Sequence, residues 1–221
     1  LVEEMQVKAD LHIHTTYSID SVISKKELVF YAKKSGLNAV AVTDHNRIEG
    51  ALKMVQQTDF LIIPGIEVSS MHGHIIGLNV KTLIPRGLSV DETVDQIHEA
   101  GGIAIACHPF ALLKGSIGKY VSGNFDAVET INASAFPFKR ATNQANCLAK
   151  RLKLPKVGGT DAHYGPVIGQ AYTLLDSEPN VEAIIKAIKN GKCKPEGTCI
   201  SPRLRLENQG RFFWKYFRKP K

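Results

Sequence analysis

The segment ADLHIHTTYSID, residues 9–20, decides how the rest of the chain is read. An apolar, strand-like run ends on His12 and His14, two positions apart, with Asp20 six further on. Side chains two apart on a strand share a face. Two imidazoles on one face make poor packing material, because Val or Ile fits the same surface without needing hydrogen-bond partners. A metal ion explains the pair, provided further ligands stand at equivalent places elsewhere.

Outward from this segment, apolar β-branched runs alternate with helical patterns. Strands are predicted at 7–14, 38–45, 60–69, 74–80, 102–109, 126–132, 156–163 and 170–176. Most are apolar on both faces, as buried parallel strands are. SKKE (Ser24, Glu27) and SVDE (Ser89, Glu92) read as capping boxes, with Gly36 and Gly101 closing the same two helices. Asn46 and Glu49 repeat the spacing ahead of a third helix, and helical patterns cover about 137–153 and 180–190. About seven βα units predict a closed α/β barrel. Residues 1–200 read as a single barrel domain and 201–221 as a basic, aromatic C-terminal tail.

In a βα barrel the C-terminal ends of the strands converge on one face. His12 and His14, Asp44 and His45, Glu67, His108, and Asp161 and His163 all fall at or just beyond such ends. Asp20, in the first loop, can reach the same face. His74, inside GHIIGL, is the exception in position. The proposed metal ligands are therefore His12, His14, Asp20, His45, Glu67, His74, His108, Asp161 and His163. Six imidazoles and three carboxylates exceed the need of one four-coordinate ion. They imply two or three divalent ions, with Zn²⁺, Mn²⁺ or Fe suited to these donors and Glu67 able to bridge two of them. His72, two residues before His74, competes with it for this role. His98 sits near a helix C-terminus, where a cation is ordinary. Asp10 and Asp44 read as buried acids that orient histidines, and Glu129 as structural.

The motifs D-L-H-x-H-T…S-x-D (10–20), T-D-H (43–45), G-I-E (65–67), G-H-I-I-G (73–77), H-P (108–109) and G-T-D-A-H (159–163) resemble the PHP (polymerase and histidinol phosphatase) superfamily. The resemblance covers residues 7–197. It implies a distorted (β/α)7 barrel and a metal-dependent phosphoesterase with a trinuclear site. Carried over by motif, His12, His14, Glu67 and Asp161 hold a first metal, Glu67, His74 and His108 a second, and Asp20, His45 and His163 a third. Some members have His at the position of Asp20, so the third site here is harder and shifts toward Mn²⁺ or Fe. Some nuclease-like members carry a helical insertion for which this chain has no room.

The function implied is hydrolysis of a phosphate monoester of a small metabolite or nucleotide, with His12, His14, Glu67, Asp161 and His163 as the catalytic residues and a hydroxide held between metals attacking phosphorus. Arg47, Lys139, Arg140 and Asn132 are the candidates for substrate binding. A 5′-3′ exonuclease or 3′,5′-nucleotide bisphosphate phosphatase is the alternative, and would make a nucleotide or nucleic acid the partner. A non-catalytic metal-binding module is the third reading. Amide or lactone hydrolysis by the distantly similar amidohydrolase barrels is disfavoured, because Glu67 stands where a carbamylated Lys often bridges.

Composition bounds these readings. The 221 residues, 43% apolar and 22% charged, are ordinary for a globular protein of one domain. No run is apolar and long enough for a transmembrane segment. The opening LVEEMQVKAD is acidic without an apolar core, so no secretory signal is expected, and a first residue of Leu suggests a trimmed start. Cys107, Cys147, Cys193 and Cys199 form no C-x-x-C pair. Reduced thiols in a cytoplasmic protein fit best, with Cys107 as core filler and a Cys193–Cys199 disulfide left open. The net charge is +7, yet seven basic residues and one acid after residue 200 supply +6 of it. The body is nearly neutral, so the basic pI argues nothing for nucleic-acid binding by the barrel. The tail GRFFWKYFRKPK is expected to dock through Phe212, Phe213 and Trp214. Oligomeric state does not follow from the sequence.

Overall fold

The computed structural model of the chain describes residues 6–217, with side chains through Asn208. In chain order its elements are β1 (Gln6–Ile13), α1 (Lys25–Lys34), β2 (Ala39–Val42), α2 (Glu49–Gln57), β3 (Leu61–Ser70), β4 (Gly73–Leu78) and α3 (Val90–Glu99). There follow β5 (Ile103–Ala106), β6 (Ala127–Asn132), α4 (Phe138–Leu152), β7 (Lys156–Gly159), β8 (Ala171–Asp176), α5 (Val181–Lys189), β9 (Cys193–Gly197) and α6 (Pro202–Phe217). The nine strands form one sheet in the order β7-β6-β5-β4-β3-β2-β1-β8-β9.

Its two ends curl together into a nearly closed, barrel-like α/β structure. His14 N donates to Ala162 O (2.9 Å) and Asp161 N to His12 O (2.8 Å), joining the end of β7 to the end of β1. Lower down, Gly158 N donates to Thr173 Oγ1 (2.8 Å), and that hydroxyl donates back to Gly158 O (2.9 Å). The closing contacts at the β1 end therefore run through the backbone of candidate ligands.

The sheet is mixed, unlike the uniform βα repeat expected from the sequence. β1, β2 and β3 are parallel, as are β5, β6 and β7. β4 runs antiparallel to both β3 and β5, and β8 antiparallel to both β1 and β9. β9 was not among the expected strands. CKPEG is half-exposed at the sheet edge, so it lacks an apolar pattern, and Pro195 is tolerated there.

The capping boxes form as the sequence requires. Ser24 and Ser89 each accept from the backbone of Glu27 and Glu92, whose carboxylates reach back. Gly36 and Gly101 end these helices at φ +64° and +79°, where a side chain would be strained. α2 departs from expectation: its cap is Ile48 and no side chain caps it. Asn46 instead pairs with Ser69, through Nδ2 to Ser69 Oγ (2.9 Å) and from Ser69 N to Oδ1 (2.8 Å). Its amide is spent holding the β2 and β3 ends together.

Two apolar clusters divide the core. One joins the sheet to α1–α4 through residues such as Val40, Val42, Leu28, Met54, Ile97 and Leu148. The other joins Val7, Ala9, Leu11, Ile63, Ile76, Ile103 and Ile105 to Ile184 and Ile188 of α5. Its upper boundary is Cys107, whose thiol donates to Glu67 Oε1 (3.5 Å). This second cluster is thus the floor on which the histidines stand.

The tail begins as α6, and Arg205 fixes it. Its guanidinium donates to the carbonyls of Ile200 (3.2 Å), Ser134 (3.1 Å) and Ala133 (3.3 Å). The expected docking of Phe212, Phe213 and Trp214 falls on side chains outside the described residues. All four cysteines are free thiols, Cys193 and Cys199 included.

Candidate metal centre

Each strand end delivers its side chain to one mouth. His12 lies at the end of β1 and His14 just beyond it, and their Nε2 atoms face each other at 3.1 Å. Glu67 is carried by β3 and is bridged to His45 across the end of β2. His108 follows β5, and Asp161 and His163 follow β7. His74 is resolved by topology. It opens β4 opposite Ser69, and an antiparallel strand starts at the rim where its parallel neighbours end. His108 and Asp161 hold positive φ (+31° and +56°), a cost of about 1–3 kcal/mol each that side-chain placement at a functional site commonly carries.

The nine expected ligands converge. Four sets of donor atoms each lie within 4.8 Å of one another: His12, His14 and Asp161; His12, Glu67 and His108; His45, Glu67 and His74; His14, His45 and His163. Glu67 is central. Its Oε1 stands 2.9 Å from His108 Nε2 and 3.0 Å from His74 Nδ1, and its Oε2 stands 3.0 Å from His45 Nδ1 and 3.2 Å from His14 Nε2. Asp20 joins no triad, but its Oδ2 lies 3.1 Å from His163 Nε2 and 3.3 Å from His45 Nε2.

The donor set fits metal ions. His12 Nε2 and His14 Nε2 face each other at 3.1 Å while both also stand beside Glu67 Oε2 (3.5 and 3.2 Å), an arrangement of lone pairs that a cation suits. His108 Nδ1 and Asp20 Oδ1 are buried without a hydrogen-bond partner. Burial opposes every charge here, yet the surrounding histidines hold the Glu67 carboxylate well below its usual range. Burial also works against a charged His45, but Asp20 and then Glu67 lift it to about 9. Burial, reinforced by Glu67, Glu129 and Asp161, pushes the Cys107 thiol well up, so it stays a neutral donor.

Asp10 and Asp44 are buried hydrogen-bonding acids, as expected, and Asp10 also accepts from the backbone of His12 (3.3 Å). Neither carboxylate touches an imidazole. Asp10 accepts from Thr160 N (2.8 Å), Thr160 Oγ1 (2.5 Å) and Gly169 N (3.0 Å), and Asp44 from Thr15 N (2.6 Å) and Thr15 Oγ1 (2.8 Å). They pin the loops that carry ligands. The acid that orients histidines is Glu129, with Oε1 3.0 Å from His12 Nδ1 and Oε2 accepting from His108 N (2.8 Å). An acid inside the apolar run DAVETIN was the signal for it. Ser18 was also missed: its hydroxyl accepts from His45 N (2.9 Å) and lies 3.4 Å from His14 Nδ1.

Asn132 is buried in the centre, donating to Glu129 Oε2 (2.9 Å) and Asp161 Oδ2 (3.4 Å), with Oδ1 unpartnered. Arg47, Lys139 and Arg140 are exposed, the first beyond His45 and the others on the first turn of α4. His72 stacks on Tyr120 (centroids 3.9 Å apart) and His98 pairs with Asp126 (2.7 Å), so neither enters the centre.

This barrel with its rim of histidines and acids defines a metal-binding α/β protein. Residues 10–136 match the PHP domain and residues 139–193 the PHP-associated domain, so the chain belongs to the PHP family. Over 141 residues it is 39% identical to the uncharacterized protein MJ1587 of Methanocaldococcus jannaschii, covering 58% of this chain and 82% of that one. A 5′-3′ exoribonuclease of Haemophilus influenzae is 33% identical over 108 residues, 46% of this chain and 39% of that enzyme. Among solved structures, a two-domain protein of Bacteroides vulgatus containing a predicted PHP-like metal-dependent phosphoesterase superposes with a TM-score of 0.73 at 17% identity, over 96% of this chain and 70% of that one. PsfC of Pseudomonas syringae superposes with a TM-score of 0.70 at 20% identity, over 94% and 98%. Both share the fold.

Proposed function

We propose that the chain is a metal-dependent phosphoric ester hydrolase acting on a phosphate monoester of a small metabolite or nucleotide. The observation that carries this is Glu67 set among His12, His14, His45, His74 and His108, with Asp161 and His163 beside them. The three ligand groups carried over by motif share Glu67 or adjoin it, as two or three ions at one mouth require. Bound there, such ions supply Lewis acidity toward phosphoryl oxygens and a lowered pKa for attacking water. The chain's own residues do the rest. Glu129 fixes the His12 ring, Ser18 steadies His14 and the backbone of His45, and the apolar floor below Cys107 excludes water from beneath. Arg47, Lys139 and Arg140, all exposed, remain the candidates for meeting the rest of a substrate.

The test is phosphate release by protein loaded with Mn²⁺, Zn²⁺ or Fe²⁺, with His14→Ala as control. The panel holds sugar and amino-alcohol phosphates, histidinol phosphate, nucleotides, 3′,5′-bisphosphates and short oligonucleotides. Metal-dependent turnover of a monoester, lost in the variant, supports the reading. Metal binding with no turnover turns it to a non-catalytic module.

The similarity to an exoribonuclease favours one second reading, action on a 5′ end or a 3′,5′-bisphosphate, with the basic tail as the nucleic-acid contact. Oligonucleotide binding that weakens steeply with salt distinguishes it.

A further inference from the structure

One cation enters the metal centre. Lys114 Nζ lies 2.5 Å from Asp161 Oδ2, and its side chain is 23% exposed. Among the described residues, no other lysine or arginine side chain reaches a candidate ligand. No motif marks Lys114, and what places it is the segment from Ala111 to Ile117, which straps across the mouth.

That strap is tied to the ligands themselves. Ser116 Oγ lies 2.6 Å from the carbonyl oxygens of both His108 and Ala111, with its single proton shared between them. His74 N donates to Gly115 O (2.8 Å). Gly115 adopts φ +62° and packs so closely that a Cβ there would stand 3.0 Å from the His74 ring. Leu112 N donates to Phe136 O (2.8 Å), anchoring the far side. The loop that begins at one ligand and returns to another thus holds an ammonium over a third.

We propose that Lys114 is the residue that binds the substrate's phosphate, taking an oxygen that faces away from the metals. This rests on the phosphoesterase reading above and names the residue that reading lacked. The argument is charge balance. With Asp161 holding a divalent ion, the ammonium would lose its counter-ion in a partly buried mouth. A phosphate dianion placed between them restores the balance, and a partly exposed lysine on a pinned strap can meet it without moving the barrel. In the metal-free protein burial disfavours charge on Lys114, and the Asp161, Glu67 and Glu129 carboxylates favour it. The carboxylate-rich surroundings in turn explain why a single lysine is tolerated there.

The experiment measures inorganic phosphate binding to the Mn²⁺-loaded full chain, by calorimetry and by ³¹P line broadening, for the parent, Lys114→Gln and Lys114→Arg. Metal content is measured on each sample and serves as the folding control. Expected is a weakening of phosphate binding by roughly tenfold or more in Lys114→Gln, with most of the affinity kept in Lys114→Arg and metal content unchanged. In turnover, KM should rise while kcat changes less. Equal phosphate affinity in the parent and Lys114→Gln overturns the proposal while leaving the phosphoesterase reading intact. A Lys114→Gln variant that binds metal more tightly with phosphate affinity unchanged also overturns it, and reduces Lys114 to a counter-ion for Asp161. If the loaded parent binds no phosphate and turns over no monoester, both readings fall together.

Discussion

Glu129 Oε1 lies 3.0 Å from His12 Nδ1, while the other oxygen of the same carboxylate accepts from the backbone of His108. One acid therefore sets the ring of one candidate ligand and the chain position of another. Glu129→Gln keeps the size but loses the charge that raises the basicity of His12. Metal affinity should fall by roughly 10–100-fold, as for other partners behind metal-bound histidines. Competition with a chromogenic chelator checks this, and unchanged affinity would show that Glu129 only fills space.

Gly159 stands against the same pair. A Cβ at this position would lie 2.6 Å from His12 Cβ and 2.9 Å from Glu129 Oε1. Gly159→Ala should push His12 off its partner, costing about 1–3 kcal/mol of stability from overpacking and weakening metal binding with it. Urea unfolding and metal titration on the same variant measure both.

Metal removal should destabilise the chain, because ions that bind only the folded site add stability by mass action. The gain is about 2.7 kcal/mol at a hundred times Kd for one site. The shift in Tm should also depend on pH. In the metal-free protein His45 is raised to about 9, so the stability its charge adds is full below pH 6.5 and lost as pH rises through 9. Metal must displace that proton, so the increase in Tm on adding Mn²⁺ should grow between pH 6.5 and 9. Thermal melts with and without EDTA across this window test the sign, and a shift that shrinks with rising pH contradicts it.

Ser24 and Asn46 make a contrast in cap chemistry. Ser24→Ala removes a capping box far from the metal centre and should cost about 1 kcal/mol with metal affinity intact. Asn46→Ala removes two hydrogen bonds to Ser69 and leaves a non-glycine residue at φ +51° next to His45. It should cost about 2 kcal/mol and lower metal affinity as well. Equal behaviour of the two variants would mean that the Asn46–Ser69 pair does nothing for the metal centre.

Arg205 joins α6 to the loop beyond Asn132 by donating to the carbonyls of Ala133, Ser134 and Ile200. Arg205→Met leaves these acceptors short of a charged donor and should cost about 1–3 kcal/mol in chemical denaturation. A change below half of the lower figure would make α6 an appendage rather than part of the barrel.

Much of this was legible in the chain. The order of strands and helices followed from apolar period and capping residues, because both act within a few residues of themselves. Seven of the nine candidate ligands were legible because imidazoles and carboxylates at strand ends have few other uses, while Asp20 and His74 rested on the motif resemblance. Tertiary structure decided the rest. His74 reaches the rim only because β4 runs antiparallel. Asp10 and Asp44 proved to be loop anchors, while Glu129, 117 residues from His12 in sequence, orients its ring. Lys114 enters the centre only because Gly115 folds beneath His74. Hydrogen-bond partners are selected by distances of about 3 Å, and here the near closure of the sheet sets those distances between residues no local pattern connects.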